Sequence, residues 1–548
     1  MMSSHRHSVH DRAAVLSFLA IVLLASCKSG GMNPGPTGGV DSVLVAPAAA
    51  SIVLGATVQL GATVLDTDGD VLSRAVTWST DNASVATVST TGLVSAQAVG
   101  STQVRAAVDG VTGSATIFVT SVAATGTVNV DPSTTYQTIG GWEAVAQIGG
   151  TGFTAPVWQG AVLDSAVSIG INRLRLEIRS GIENPVDYWT QLENGTITFN
   201  DYRPHRYEAI NDNSDANSVN PTGFQFAELD YNVNTIVNPL RSRLAAVGQS
   251  LWVNLTIVDF NASGTLHREN PAEYAELVLA TFRHLETTFG WVPNSVEVIL
   301  EPDLAGWQAA EIGTVLVGAG ARLAANGFTP DFVAPSTTDM ANAITFFDQI
   351  VAVPGVLTYL DELSYHRYSG VSDANLLAIG ARGAQYNVRT AMLEHLASGY
   401  DDLHKDLKLA NNSSWEQFAL AFPLNSDDGS VYFIINPTTN AIQVASRTGY
   451  LRQYFKYLKS GATRIRSTSS DGALDPLAFV APDGKYTLVV KATTSKTFTI
   501  GGLPPGVYGV SYATAAGYGI SAPDVNLAAG TALSATIPAA GVITIFGK

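Results

Sequence analysis

The stretch VEVILEPDLAGW, residues 296–307, decides how the chain is read. From Val296 to Leu300 only Glu297 interrupts an apolar run, the pattern of a buried strand. Pro302 cannot continue a central strand, so the chain leaves the core at Glu301. A carboxylate where a buried strand surfaces is either a solvated charge or a group held at the mouth of a cavity. The neighbouring segments decide between the two.

Outward from this strand, strand and helix patterns alternate from about Gly126 to Gly461. Strand-like runs at 137–142 (QTIGGW), 171–178 (INRLRLEI), 251–260 (LWVNLTIVDF) and 296–301 (VEVILE) are followed by others at 331–337, 361–368, 388–395 and 415–422. The clearest helix runs from Pro271 to about Phe289, with Asn270 as its cap, Glu273 placed to complete a capping box and Gly290 to stop it. Its apolar stripe is Tyr274, Leu277, Val278, Phe282, Leu285 and Phe289. A second helix is expected from near Trp307 to Asn326-Gly327. Repeated βα units reaching eight strands predict a (β/α)8 TIM barrel over 126–461. The segment after strand two, roughly 179–225, is rich in Asn, Asp and aromatics such as Tyr188, Trp189 and Tyr202. On a barrel it belongs to the C-terminal, ligand-binding face. Within it, NDNSDAN (211–217) offers carboxylates and amides but lacks the spacing of a calcium loop, and reads as a solvated turn.

The flanks have a different texture. Short β runs separated by turns over 41–121, such as GATVQLGATVLD and VATVSTTGLVSAQ, indicate a β-sandwich with Trp78 in its core. The residues TWSTDNASVATVSTTGLVSAQAVG resemble the bacterial immunoglobulin-like group 2 domain, usually a spacer or adhesive stalk. Residues 462–548 return to strand pairs, including LAFVAPDGKYTLVVKA with its Asp483-Gly484 turn, and predict a second β-sandwich. At the start, Arg6 and Arg12 precede an apolar run from Ala13 to Leu24, too short to span a bilayer comfortably. The following Leu24-Ala25-Ser26-Cys27 resembles a bacterial lipobox, which implies a signal peptide over 1–26, lipidation of Cys27 and a Gly/Pro-rich tether over 27–40. Lys28 after that cysteine points, by the same resemblance, to the outer membrane or cell surface.

Bulk composition excludes several chemistries. The 548 residues carry a formal net charge of −16, which argues against nucleic acid as a partner. With Cys27 the one cysteine, no intramolecular disulfide and no thiol chemistry elsewhere is possible. No zinc, phosphate-loop or dinucleotide motif appears, and no metal or cofactor is called for. The chain reads as a monomer that meets a membrane only through its lipid.

By this reading two barrel strands end in glutamates: strand four at Glu301 and strand seven at Glu394. Side chains at the C-terminal ends of barrel strands face the active-site bowl, and two converging carboxylates are what glycoside hydrolysis needs. LEP at strand four and MLEH at strand seven resemble the retaining glycoside hydrolases of the (β/α)8 superclan A, and family 30 in particular. TYQTIGGWEA (134–143), YDDLHKDLKLANNSSWEQFAL (400–420) and YFKYLKSGATRIRSTSSDGALDPLAFVAPDGKYTLVV (454–490) extend that resemblance across 126–548. It implies that Glu301 is the acid/base, that Glu394 is the nucleophile, and that residues 126–136 supply a strand to the C-terminal sandwich. Leu300 departs from the superclan, which places Asn before the acid/base to bind the sugar 2-hydroxyl; Asn254 on strand three is one candidate to replace it. Arg175 could orient the nucleophile, His366 and Tyr368 could bind it or the sugar, and Trp142 and Trp307 could stack on sugar faces. The expected substrate is a polysaccharide or oligosaccharide. The rival readings are a sugar-binding adhesin without catalysis and a transglycosylase.

Overall fold

The computed structural model describes residues 38–120, 124–149, 159–261 and 264–548. The predicted signal peptide, Cys27 and most of the tether lie outside them. The chain divides into two units, Met1–Val122 and Ala123–Lys548.

The first unit is an all-β sandwich. Antiparallel strands Gly100–Val108 and Val111–Thr120 form its central hairpin, joined by Thr77–Thr80 on one side and Ala49–Val53 on the other. Alternation buries Val104, Ala106, Ile117 and Val119 inside, and Trp78 packs against the edge of this core.

In the second unit eight parallel strands close into a barrel. We number them β1 (Gly141–Ile148), β2 (Arg173–Arg179), β3 (Trp252–Val258), β4 (Ser295–Glu297), β5 (Asp331–Asp339), β6 (Leu360–Ser369), β7 (Arg389–Met392) and β8 (Ser414–Pro423). Neighbours pair in sequence order, and β1 also pairs with β8. Helices cover the outside. The principal ones are α1 (Pro271–Phe289) and α2 (Ala309–Ala325), which bury Leu277, Phe282, Leu316 and Leu323 against the strands and each other. The predicted stop of α1 is present: Gly290 takes a left-handed φ of 75°. Its predicted capping box is absent, because the Asn270 amide donates to the Leu266 carbonyl and Glu273 turns toward Asn211 in the segment after β2. That segment carries short helices, Tyr188–Glu193 and Phe199–Tyr202, each capped by an Asp or Thr side chain.

Three boundaries differ from the sequence reading, and each moves a candidate residue. QTIGGW is not the first barrel strand. Gln137 and Thr138 end the long strand Gly126–Thr138, and β1 begins at Gly141. Strand β4 stops pairing at Glu297, although Val298 and Leu300 still donate to the Val333 and Ile257 carbonyls, so Glu301 lies beyond the ladder. Strand β7 likewise ends at Met392, two residues before Glu394.

The chain ends in a nine-stranded sheet in which Gly126–Thr138 is a strand, antiparallel to Thr463–Ser469 and parallel to Lys496–Gly501. The first strand of the unit thus fastens the sandwich to the barrel entrance. Among the described residues no helix is long and apolar enough to cross a membrane.

Candidate active site

The barrel interior is polar where the usual pattern is branched aliphatic layers. Alternation along β2 turns Leu174, Leu176 and Ile178 outward into the apolar core, and Arg173, Arg175 and Glu177 inward. Arg173 pairs with Glu362, Nη2 to Oε1 at 2.7 Å, and with Glu143. Burial pushes the Glu143 carboxyl up to about 7 against the pull of Arg173. Beside them the Asn254 amide donates to Glu143 and Glu297, both at 3.1 Å. Such buried charges persist only when paired and hydrogen-bonded.

Above this layer lies Arg175, fully buried. Its Nη2 meets Glu394 Oε2 at 2.5 Å and Glu177 Oε1 at 3.2 Å, while Nη1 donates to the Leu393 carbonyl at 3.1 Å and faces Glu416 Oε1 at 3.3 Å. The other Glu394 oxygen accepts from the Tyr368 hydroxyl at 2.7 Å. Burial alone would raise the Glu394 carboxyl, yet Arg175, His366 and the Tyr368 hydroxyl together hold it below the ordinary carboxylate value. Burial drives the Glu416 carboxyl well above that value against the pull of Arg175. Burial and the adjacent Glu394 charge raise the Tyr368 hydroxyl, which keeps its proton and its donor role.

Across the bowl His366 Nδ1 lies 3.2 Å from Glu301 Oε1. Glu301, Glu394 and His366 each present a ligand-type atom within 4.8 Å of the other two. Glu301 has a left-handed φ of 49°, and Ser336, whose carbonyl accepts the Glu301 N–H at 3.1 Å, has 54°. Conformations of this kind cost about 1–3 kcal/mol in non-glycine residues and persist where surrounding structure enforces them. Here the backbone reversal at Glu301, sealed by Pro302, aims the carboxylate back over the bowl. The trio does not suit a cation, because the positive Arg175 group already occupies the Glu394 oxygen.

A cavity of about 480 Å³ opens beside Glu177 on the same face. Its walls come from the ends of β1, β2 and β8 and from the segment after β2, with Gln147, Arg179, Trp189, Tyr202 and Glu228 among them. Arg179 joins Glu228 at 2.5 Å, and Tyr202 donates to Glu228 at 2.7 Å.

The structure therefore brings Glu301, Glu394, Arg175, His366 and Tyr368 together, and separates three other candidates from them. Trp142, at the start of β1, stacks on Phe455 at 4.6 Å and donates its indole N–H to the Leu458 carbonyl. It belongs to the core at the opposite end of the barrel, because the strand begins one residue before it. Trp307 is 1% exposed and packs edge-on to Tyr274 beneath α2. Asn254 is tied into the inner carboxylate layer, and Leu300 beside Glu301 is buried, so neither presents a polar group to the bowl. Sequence reasoning missed Glu416, whose inward direction follows from alternation along β8, and Glu228, which nothing in its helical segment distinguishes.

Residues 39–119 match the bacterial Ig-like domain (group 2), and residues 461–545 match the glycosyl hydrolase family 30 beta sandwich domain. No curated protein matches the sequence significantly. Among solved structures, a GH30 endoxylanase from Clostridium papyrosolvens is 15% identical with a TM-score of 0.55, over 77% of this chain and 99% of that one. The catalytic domain of a GH30 xylanase from Talaromyces cellulolyticus is 14% identical with a TM-score of 0.56, over 77% and 100%. An endo-beta1,6-glucanase is 15% identical with a TM-score of 0.55, over 78% and 95%. The barrel and its appended sandwich share the fold of these glycoside hydrolases. At the chain's flanks stand a bacterial Ig-like domain and a family 30 sandwich domain.

Proposed function

We propose that the protein is a retaining glycoside hydrolase acting on a polysaccharide or glycoconjugate. One observation carries the proposal: two carboxylates just beyond the ends of different strands converge within 4.8 Å, one of them held ionised by Arg175 and Tyr368. Retaining enzymes set their carboxyl groups at about 5–5.5 Å, whereas inverting ones leave about 6.5–9.5 Å for water. The neighbours that share the fold include xylanases and a β-1,6-glucanase, which supports a polymeric substrate.

In this mechanism Glu394 attacks the anomeric carbon while protonated Glu301 gives its proton to the departing glycosidic oxygen. The Glu394–carbon bond forms as the carbon–oxygen bond breaks. Charge then leaves Glu394, and Glu301, now ionised, removes a proton from water that attacks the same carbon and frees Glu394. Tyr368 and Arg175 hold the nucleophile without being consumed. His366 fixes the rotamer of Glu301.

Leu300 favours a second reading, a barrel that binds sugar without cleaving it. It lacks the amide that would grip the 2-hydroxyl, an interaction that strengthens in the transition state. Aryl glycosides and plant, fungal and bacterial polysaccharides, tested on wild type, Glu301→Ala and Glu394→Ala, separate the two readings. Hydrolysis by wild type that either substitution abolishes supports the enzyme. Binding without turnover, unchanged in both variants, supports the lectin. Anchoring through a lipid on Cys27 is part of the proposal, and Cys27→Ser is expected to release the protein from the membrane fraction.

A further inference from the structure

A second carboxylate group lies away from the bowl, where the segment after β2 meets α1. Glu183, Asp212 and Glu273 present oxygens that all lie within 4.8 Å of one another. Glu183 and Glu273 are buried and Asp212 is half-buried. Amide donors fix their directions: Asp212 N–H to Glu183 Oε1 at 3.1 Å, Asn220 N–H to Asp212 Oδ2 at 2.5 Å, and the Asn211 side chain to Glu273 Oε1 at 3.1 Å. His267 Nε2 sits 2.6 Å from the second Glu183 oxygen.

The second observation is independent of this clustering. Glu276, one turn along α1 and 0% exposed, has no hydrogen-bond partner on either oxygen among the described residues. Asp212 Oδ1 and Glu273 Oε2 are also buried without a partner. Four orphaned carboxylate oxygens at one place are costly, since a buried ionised group requires a counter-charge. Asp212, Glu273 and Glu183 all lie close enough for their charges to act on Glu276, and Arg322 opposes them. The Arg322 guanidinium is itself engaged with the carbonyls of Ala216 and Ala272.

We propose that Glu183, Asp212 and Glu273 bind a calcium ion, with the unpartnered Glu276 carboxylate beside them, and that this ion fastens the segment after β2 to α1. The spacing suits it. Calcium–oxygen distances of about 2.3–2.6 Å place the most widely separated ligands of one ion about 4.6–5.2 Å apart. The all-oxygen donor set selects a hard cation over zinc, and three carboxylates favour calcium over magnesium, which usually retains water and uses one or two. Asp212 comes from the NDNSDAN stretch read from sequence as a solvated turn. What that reading missed are the partners from α1, which lie some 60 residues away and become visible only because Glu273 leaves its capping position. The clamped segment carries Trp189, Tyr202 and Arg206 into the wall of the 480 Å³ cavity, so the ion would also shape the ligand-binding face.

Calorimetric titration of CaCl2 into the purified full chain, freed of metal by chelation, tests this. The expected result is one saturable site with a Kd below about 1 mM, the weak end for extracellular calcium modules, and a melting temperature that rises with CaCl2. Asp212→Asn and Glu273→Gln, checked for native circular dichroism, should each weaken binding by about tenfold or more. If one variant fails to fold, the other together with the wild-type titration carries the test. No saturable binding by wild type, wild-type affinity in both variants, or equal affinity for MgCl2 would overturn the calcium assignment.

Discussion

Arg175→Met is the substitution that probes the site most deeply. The guanidinium is wholly buried and lies 2.5, 3.2 and 3.3 Å from Glu394, Glu177 and Glu416. The charge that the substitution removes is the one paired with Glu394 and Glu177. Breaking a buried pair from one side costs about 3–5 kcal/mol, unless the stranded carboxylates take up protons. Either outcome penalises ionised Glu394. At about 1.36 kcal/mol per factor of ten, the loss in kcat/KM at neutral pH should be about 10²–10⁴-fold. The sign of the pH dependence follows from linkage. Glu394 in the fold lies below its ordinary value, so its pairing stabilises the protein above the unfolded carboxylate range and is lost as pH falls through the folded value. The variant's stability deficit should therefore be largest at neutral pH and shrink in acid, while the acid limb of its rate profile moves up in pH. Initial rates on an activated aryl glycoside across the acidic and neutral range, alongside denaturant melts, measure both. Arg175→Lys keeps the charge but not the fork, and should fall between the two. Wild-type kcat/KM with an unmoved acid limb in a folded Arg175→Met would refute the reasoning.

Other expectations follow from the same geometry. Tyr368→Phe removes a hydrogen bond to a charged group, worth about 1.5–3 kcal/mol, and should also raise the acid limb of the rate profile, with KM little changed. Trp142→Ala and Trp307→Ala should each cost about 3–5 kcal/mol in urea melts, as buried aromatic truncations do, yet leave KM for substrate near wild type in the folded fraction; a raised KM with unchanged stability would return these residues to the sugar site. Glu301→Ala should slow natural substrates far more than aryl glycosides whose leaving groups need no proton, and kinetics with leaving groups of graded acidity would show it. Gly170 has a φ of 106°, and a Cβ there would lie 2.2 Å from the Phe455 carbonyl oxygen, so Gly170→Ala should lower the melting temperature without altering the pH profile.

Much of the barrel was legible because its signals are periodic. Leu174, Leu176 and Ile178 alternate with inward charges, and the stripe on α1 repeats at three and four residues. The two glutamates were legible because each follows a short apolar strand. What failed were boundaries. Reading QTIGGW as a strand that ended at Trp142 put its indole in the bowl, whereas the strand starts there and the indole fills the far end. Trp307 follows Glu301 closely in sequence, but the reversal at Glu301 and the short helix Pro302–Ala305 turn it into the core. The polar interior linking Arg173, Glu143, Asn254, Glu297 and Glu362 was hidden because its pairings cross the barrel, with partners up to 189 residues apart. Local patterns do not record such distances.

The central claim is that Glu394 forms the covalent bond. A 2-deoxy-2-fluoro glycoside of whichever sugar the wild type releases, carrying a good leaving group, should inactivate the enzyme, and peptide mapping should find one added sugar on Glu394. An enzyme that turns over substrate but stays unlabelled and yields product of inverted configuration, or that carries the label on another residue, would contradict it.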